Sequence, residues 1–133
     1  MHQKKFNNTT PRIRVIQKLY NSLLNPEATI EYPKSQYKKF IKDVVSGTLE
    51  RSELIKEIIN SHLNNDINLN KTDKLLKIIL FAATFELMFK HNTPKKVIIS
   101  EYLHASEHFL EKIQTGYLNA ILDKIAKELR KEE

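Results

Sequence analysis

The 133-residue chain contains no cysteine, two glycines and four prolines. The lack of cysteine excludes disulfides, thiolate zinc sites and cysteine nucleophiles. Because tight turns depend on glycine and proline, their scarcity argues against a fold with many β-strands. Leucine, isoleucine, lysine and glutamate dominate instead, as they do in all-helical proteins. The composition therefore predicts an all-α protein, and the length predicts a single domain over residues 1–133.

Long apolar segments are also lacking. The N-terminal sequence MHQKKFNNTT is polar and has no apolar core of a signal peptide. The most apolar run, Ile78 to Phe89, is interrupted by Thr84 and Glu86 and is too short to span a bilayer. We therefore expect a cytoplasmic protein with no membrane segment.

The net charge of +6 is concentrated at one end of the chain. Residues 1–26 contain five basic residues and no acidic residue, whereas the other 107 residues contain 17 basic and 16 acidic residues. A basic patch of this kind is typical of proteins that bind a phosphate backbone, although a solubilising tail has the same composition. The five basic residues are Lys4, Lys5, Arg12, Arg14 and Lys18.

Apolar residues recur at helical spacing in six segments. The first helix begins at Thr10-Pro11, with Thr10 as N-cap, and ends at Asn25-Pro26. The second begins near Ser35 and weakens or ends at Gly47. The other helices are predicted at about 51–63, 72–90, 95–110 and 115–130, and residues 1–9 are predicted to be a disordered basic arm.

The segment at about 72–90 is apolar on nearly every side from Ile78 onward. A helix that is hydrophobic all round is buried all round, so we expect a central helix against which the others pack. Glu86 lies inside this run. It must be paired or near a surface end, because an unpaired buried charge is too costly.

One short motif suggests a metal site. Residues 104–108 read His-Ala-Ser-Glu-His, which fits the H-x-x-E-H pattern of one class of zinc peptidases, and Glu101 with His104 makes one Glu-x-x-His. At 100° per residue these side chains fall on the polar side of their helix, and no third ligand is evident. Other catalytic motifs are absent too, so we predict no functional metal site, no cofactor and no enzymatic activity.

Four strings occur in order along the chain: RIRVIQKLYNSLL (12–24), LLKIILFAATFEL (75–87), TPKKVIISEYLHASEHF (93–109) and GYLNAILDKIA (116–126). Together they resemble the NusB family of bacterial transcription antitermination factors over about residues 10–128. The last string is the most specific, since Asn119, Leu122, Asp123 and Lys124 are in register with the family pattern.

The resemblance implies a fold of about six to seven helices in two packed helical subbundles. It also implies a function. Members of the family bind the boxA segment of nascent RNA, especially from ribosomal RNA operons. They do so with NusE, a small-subunit ribosomal protein, in a complex that helps RNA polymerase pass terminators. The family is not enzymatic and needs no metal.

The resemblance also implies which residues touch each partner. The basic end, Lys4 to Lys18, should contact RNA phosphates. Tyr117 matches an aromatic residue of the family and could stack on an unpaired base or belong to the core. Asn119 could bind RNA or cap a backbone group. The candidates for contact with NusE are Glu86, Lys96, Val97 and Glu101.

The chain departs from the family at several positions. Its N-terminus has fewer arginines, LEKIQT (110–115) replaces the usual loop, Ser100 stands for an asparagine and Ala120 for a glycine. Fewer basic residues lower RNA affinity, so we expect tight binding to depend on NusE.

Two alternatives stay open. One is a helical protein–protein interaction module whose basic tail only solvates it. The other is the NusB-like domain of RNA cytosine methyltransferases, which would need a catalytic domain that these residues do not contain.

Overall fold

The computed structural model describes residues 11–63 and 72–133. These residues form six α-helices and no strand, which confirms the all-α prediction. The predicted arm at 1–9, the cap at Thr10, and Lys4 and Lys5 lie outside the described residues. The helices are α1 (Pro11–Leu24), α2 (Lys38–Glu50), α3 (Ser52–Leu63), α4 (Lys74–Phe89), α5 (Lys95–Ser106) and α6 (Lys112–Leu129).

Local caps set several helix boundaries. The carboxylate of Asp73 accepts the N–H groups of Leu75 and Leu76 at 2.9 and 3.1 Å and so fixes the start of α4. Glu111 and Gln114 form a reciprocal capping box at the start of α6. Because this box begins a new helix, α6 starts about three residues earlier than the apolar spacing predicts, and α5 ends earlier than predicted.

Gly47 does not end α2, contrary to the prediction from its helix-breaking tendency. The helix continues to Glu50, and α3 follows after Arg51 alone. A Cβ atom at position 47 would overlap the ring of Phe85 in α4. The glycine therefore permits the close approach of two helices, a role that sequence alone does not distinguish from a helix end.

Helix α4 contacts each of the five other described helices. Its buried side chains run from Leu76 to Leu87 and include every residue from Ala82 to Leu87. The pair α1 and α2 packs against α4, as does the pair α5 and α6, while α3 packs against α4 and α6. Helix α1 also contacts α5, which brings the start of α1 close to the middle of the molecule. Within the described ranges, no helix has the length and hydropathy of a membrane span.

Candidate nucleic-acid interface

Arg12 lies in a buried ion pair that joins three helices. Its Nε and Nη2 atoms donate to the two carboxylate oxygens of Glu86 at 2.9 and 2.7 Å. The hydroxyl of Tyr102 donates to the same carboxylate at 2.5 Å, and the guanidinium lies 4.8 Å from the ring centre of Phe40. Arg12 is only 8% exposed and Glu86 is fully buried. The prediction that Glu86 must be paired is therefore confirmed.

The surroundings keep this network charged and hydrogen-bonded. Burial lowers the pKa of Arg12, but the hydrogen bond and the negative charge of Glu86 outweigh it and the net shift is upward. Burial and the charge of Glu86 raise the pKa of Tyr102 well above 10.0. Arg12 is thus a permanent cation, and Tyr102 remains a neutral hydrogen-bond donor at physiological pH.

This geometry corrects two assignments from the sequence. Arg12 was expected to face RNA and Glu86 to face NusE, but each side chain is enclosed and used by the other. A buried ion pair that lost one partner would leave an uncompensated charge, so neither group is available to another molecule. The signal for this pairing was the lone carboxylate in an apolar helix, which requires a cation somewhere in the fold.

The other basic residues of α1 remain accessible. Arg14 and Lys18 are both partly exposed. Lys18 Nζ donates to the backbone oxygen of Glu31 at 2.6 Å and lies 5.4 Å from the ring centre of Tyr32. Arg14 makes no ion pair with any residue that the structure describes. Its charge is therefore available at the surface.

Tyr117 and Asn119 are exposed on the first half of α6. Tyr117 is 44% exposed and is therefore not a core residue, while its stacking on a base stays a prediction. Ile113, one turn earlier, is 85% exposed, so the neighbouring surface of α6 is accessible too. Helices α1 and α6 do not contact each other, so the two groups of RNA candidates lie apart in the fold.

Three of the four residues expected to contact NusE are accessible in the first two turns of α5. Lys96 and Val97 are exposed in the first turn of α5, and Glu101 is partly exposed one turn later. Val97 and Glu101 are four residues apart and therefore neighbours on the helix surface. Glu101 also lies 3.6 Å from Arg12 Nη1, so this surface borders the buried ion pair.

In the His-Ala-Ser-Glu-His segment, His104, Glu107 and His108 are exposed, whereas Ala105 and Ser106 are buried. The rings of His104 and His108 are 6.2 Å apart, edge to face. Partial burial and the neighbouring His104 lower the pKa of His108. No group of three potential metal ligands is found in the part of the chain that the structure describes.

Arg130 is the second buried arginine and is not among the predicted site residues. Its guanidinium donates to the backbone oxygens of Leu87, Lys90 and Thr93 at 2.7, 3.0 and 3.1 Å, and it pairs with the carboxylate of Glu133. These carbonyls lie at and beyond the C-terminal end of α4, where backbone acceptors lack partners within the helix. No local pattern marks this role, because the acceptors lie about forty residues earlier in the chain.

The chain is similar to known proteins along most of its length. A family model described as the NusB family matches residues 2–127. The transcription antitermination protein NusB of Rhodopseudomonas palustris (strain HaA2) is 34% identical over 94 residues, which cover 71% of this chain and 56% of that protein. The protein of the same name from Nitrobacter hamburgensis is 33% identical over 91 residues, covering 68% of this chain and 57% of that protein. The aligned part of the chain thus spans little more than half the length of these relatives.

A solved structure shows the same fold. The structure of T. maritima NusB superposes with a TM-score of 0.76 at 24% sequence identity. The superposition covers 89% of this chain and 90% of that one.

Proposed function

The chain belongs to the NusB family, and from this membership we propose that it is a transcription antitermination factor that binds boxA-type single-stranded RNA together with NusE. The complex would act in the cytoplasm on nascent transcripts, especially those of ribosomal RNA operons, and help RNA polymerase read through terminators. The proposal needs no catalysis and no cofactor. The observation that carries it is the exposed ring of Tyr117 within the string that most resembles the family.

The RNA would contact two parts of the surface. On α6, the face of Tyr117 is open for stacking on an unpaired base, and the exposed amide of Asn119 can donate to and accept from a base edge. On α1, Arg14 and Lys18 supply charge for phosphates, and Lys4 and Lys5 would add to it. Arg12 has no part in this surface, because its guanidinium is bound by Glu86.

NusE would bind the start of α5. Val97 is 45% exposed between the charged side chains of Lys96 and Glu101. An apolar side chain at the centre and charged groups around it are features of many protein–protein interfaces. Glu86 contributes to this surface only indirectly, since it holds Arg12, which in turn lies next to Glu101.

The proposal is tested by titrating the protein with labelled boxA-type RNA and with a scrambled RNA, at two salt concentrations, with and without NusE. We expect selective binding that NusE strengthens and salt weakens. A tight, salt-insensitive complex with RNA alone would contradict the dependence on NusE. If the protein does not distinguish boxA-type RNA from scrambled RNA under any condition, the proposal is wrong and the protein-interaction module is the better interpretation.

The NusE surface is tested by Val97→Asp, with Leu54→Asp on α3 as the control. The two side chains are similarly exposed, at 45% and 43%, so each variant adds one charge to an accessible apolar position. We expect Val97→Asp to weaken NusE binding by at least about tenfold, or about 1.4 kcal/mol. Leu54→Asp should bind NusE as the unaltered protein does, and equal losses in both variants would rule out the α5 surface.

A further inference from the structure

Residues 32–42 read YPKSQYKKFIK and contain four lysines and no acidic residue. The segment leads into α2 and forms its first turns. All four lysines are exposed, and the rings of Tyr32 and Tyr37 are partly exposed among them. Neither the family resemblance nor the charge asymmetry of residues 1–26 points to this segment.

Two contacts show how the segment lies against α1. The guanidinium of Arg12 is 4.8 Å from the ring centre of Phe40, and Lys18 Nζ is 5.4 Å from that of Tyr32. The chain from Tyr32 to Phe40 therefore runs antiparallel to α1, whose residues 12–18 rise by about 9 Å. Arg14 and Lys18 are four residues apart and are therefore neighbours on the surface of α1.

Most of this charge is not neutralised by the protein. Lys39 pairs with Asp43 at 3.3 Å. Lys34, Lys38 and Lys42, by contrast, make no ion pair within residues 11–63 and 72–133. Lys18 binds a backbone oxygen, which leaves its full charge in place. The result is a strip of uncompensated positive charge with aromatic rings in it, which we call the basic strip. It consists of Arg14, Lys18, Lys34, Lys38 and Lys42, with Tyr32 and Tyr37.

We propose that the basic strip is a second contact surface for single-stranded RNA. Its cations would neutralise phosphates, and its two tyrosines would offer faces to unstacked bases, the combination by which grooves bind single strands. The inference rests on the proposed function and extends the RNA surface from the N-terminal end onto α2. It also supplies phosphate contacts in place of Arg12, whose charge is enclosed.

The test compares two double variants that each remove two positive charges. One is Lys38→Gln with Lys42→Gln in the basic strip. The control is Lys56→Gln with Lys127→Gln, on α3 and α6, neither of which contacts α1. If each of the two strip lysines contacts one phosphate, their loss makes the slope of log affinity against log salt concentration shallower by about 1.4. The affinity for boxA-type RNA then falls roughly 60-fold at about 50 mM salt and roughly 10-fold at about 200 mM. The control should retain the slope of the unaltered protein.

The outcomes separate the basic strip from the proposed function. Equal affinity and slope in the two double variants would overturn the strip, while selective binding by the unaltered protein would leave the proposed function standing. Failure of the unaltered protein to bind boxA-type RNA, with or without NusE, would overturn both. The four lysine side chains are at least partly exposed, so the unfolding midpoints of both variants should match that of the unaltered protein and exclude misfolding as the cause.

Discussion

Two arginines of this chain are buried, and each is held by oxygen atoms from a distant part of the sequence. Arg12 binds the carboxylate of Glu86, 74 residues away, and Arg130 binds the backbone oxygen of Leu87, 43 residues away. Arg14 lies two residues from Arg12 and is accessible. The sequence shows how many positive charges there are. Which of them are free depends on long-range contacts that no local spacing reveals.

Replacing Arg12 by methionine should destabilise the protein by about 3–5 kcal/mol, because Glu86 would stay buried without its cation. Urea unfolding at neutral pH measures the loss. The control, Arg14→Met, removes an accessible charge and should change stability by less than about 0.5 kcal/mol. The double variant Arg12→Met with Glu86→Leu should be more stable than Arg12→Met alone. Equal stability of Arg12→Met and Arg14→Met would show that the ion pair is not important.

Replacing Tyr117 by alanine should reduce RNA affinity by about 1–3 kcal/mol, the usual contribution of one aromatic stack on a base. Tyr117→Phe keeps the ring and should retain most of the affinity. Both variants should unfold at similar urea concentrations, since the side chain is half exposed. Titration with boxA-type RNA gives the comparison. If alanine and phenylalanine bind equally well, Tyr117 does not stack.

At the level of the helix, the starts of α1 and α4 could be predicted from their local caps, whereas the capping box that starts α6 and the packing at Gly47 could not. Pro11 and Asp73 mark helix starts through their own backbone and side-chain chemistry, and α1 and α4 begin where the sequence indicates to within about two residues. The helix end predicted at Gly47 was wrong, because this glycine makes space for the ring of Phe85 on another helix. A glycine that makes room for a ring and a glycine that ends a helix look the same in a sequence.

The two glycines of the chain should respond oppositely to substitution by alanine. Both lie within helices, where alanine is intrinsically better by about 1 kcal/mol. Gly116→Ala should therefore stabilise the protein by roughly this amount, since nothing obstructs a Cβ atom there. Gly47→Ala should destabilise it by about 1–3 kcal/mol, because the methyl group overlaps the Phe85 ring. Thermal and urea unfolding of both variants test the pair, and stabilisation by Gly47→Ala would contradict the packing of α2 on α4.

Removal of Arg130 should weaken the end of α4. Arg130→Met removes the donor to the backbone oxygens of Leu87 and Thr93. We expect a loss of about 2–4 kcal/mol in the free energy of unfolding. Lys131→Met changes the exposed neighbour and serves as the control. Hydrogen exchange at the last turn of α4 should quicken in the Arg130 variant alone. Unchanged exchange there would mean that water replaces the guanidinium without cost.

In the whole molecule, the helices place the proposed contact surfaces around α4 without using its side chains. The RNA candidates lie on α1, α2 and α6, and the NusE candidates lie on α5. The resemblance predicted that Tyr117, Lys96 and Val97 belong to binding surfaces, and their exposure is consistent with this role. It could not predict that α1 and α6 are not in contact or that Phe40 lies against Arg12. Those relations depend on how the helices pack in three dimensions.

The last residues of the chain should make stability depend on pH. Glu133 accepts the backbone N–H of Lys95 at 2.8 Å and pairs with Arg130, and these contacts hold its pKa below 4.5. The pKa of Glu133 is lower in the folded than in the unfolded protein. Its carboxylate therefore stabilises the fold above pH 4.5, and this stabilisation is lost as the pH falls through the pKa of the folded state. Glu133→Gln should therefore be less stable at pH 7 but equally stable in strong acid. Urea unfolding of Glu133→Gln and of the unaltered protein across this pH range tests the prediction. A difference in stability that does not change with pH would contradict it.

The pairing of Arg12 with Glu86 also constrains how this protein can evolve. Loss of either residue alone is costly, whereas loss of both can be nearly neutral if apolar residues of similar volume replace them. The two positions are therefore epistatic, and a lineage can pass from one viable pair to another only through an unstable intermediate. Among related sequences, positions 12 and 86 should covary: where the arginine is absent, the glutamate should be absent too.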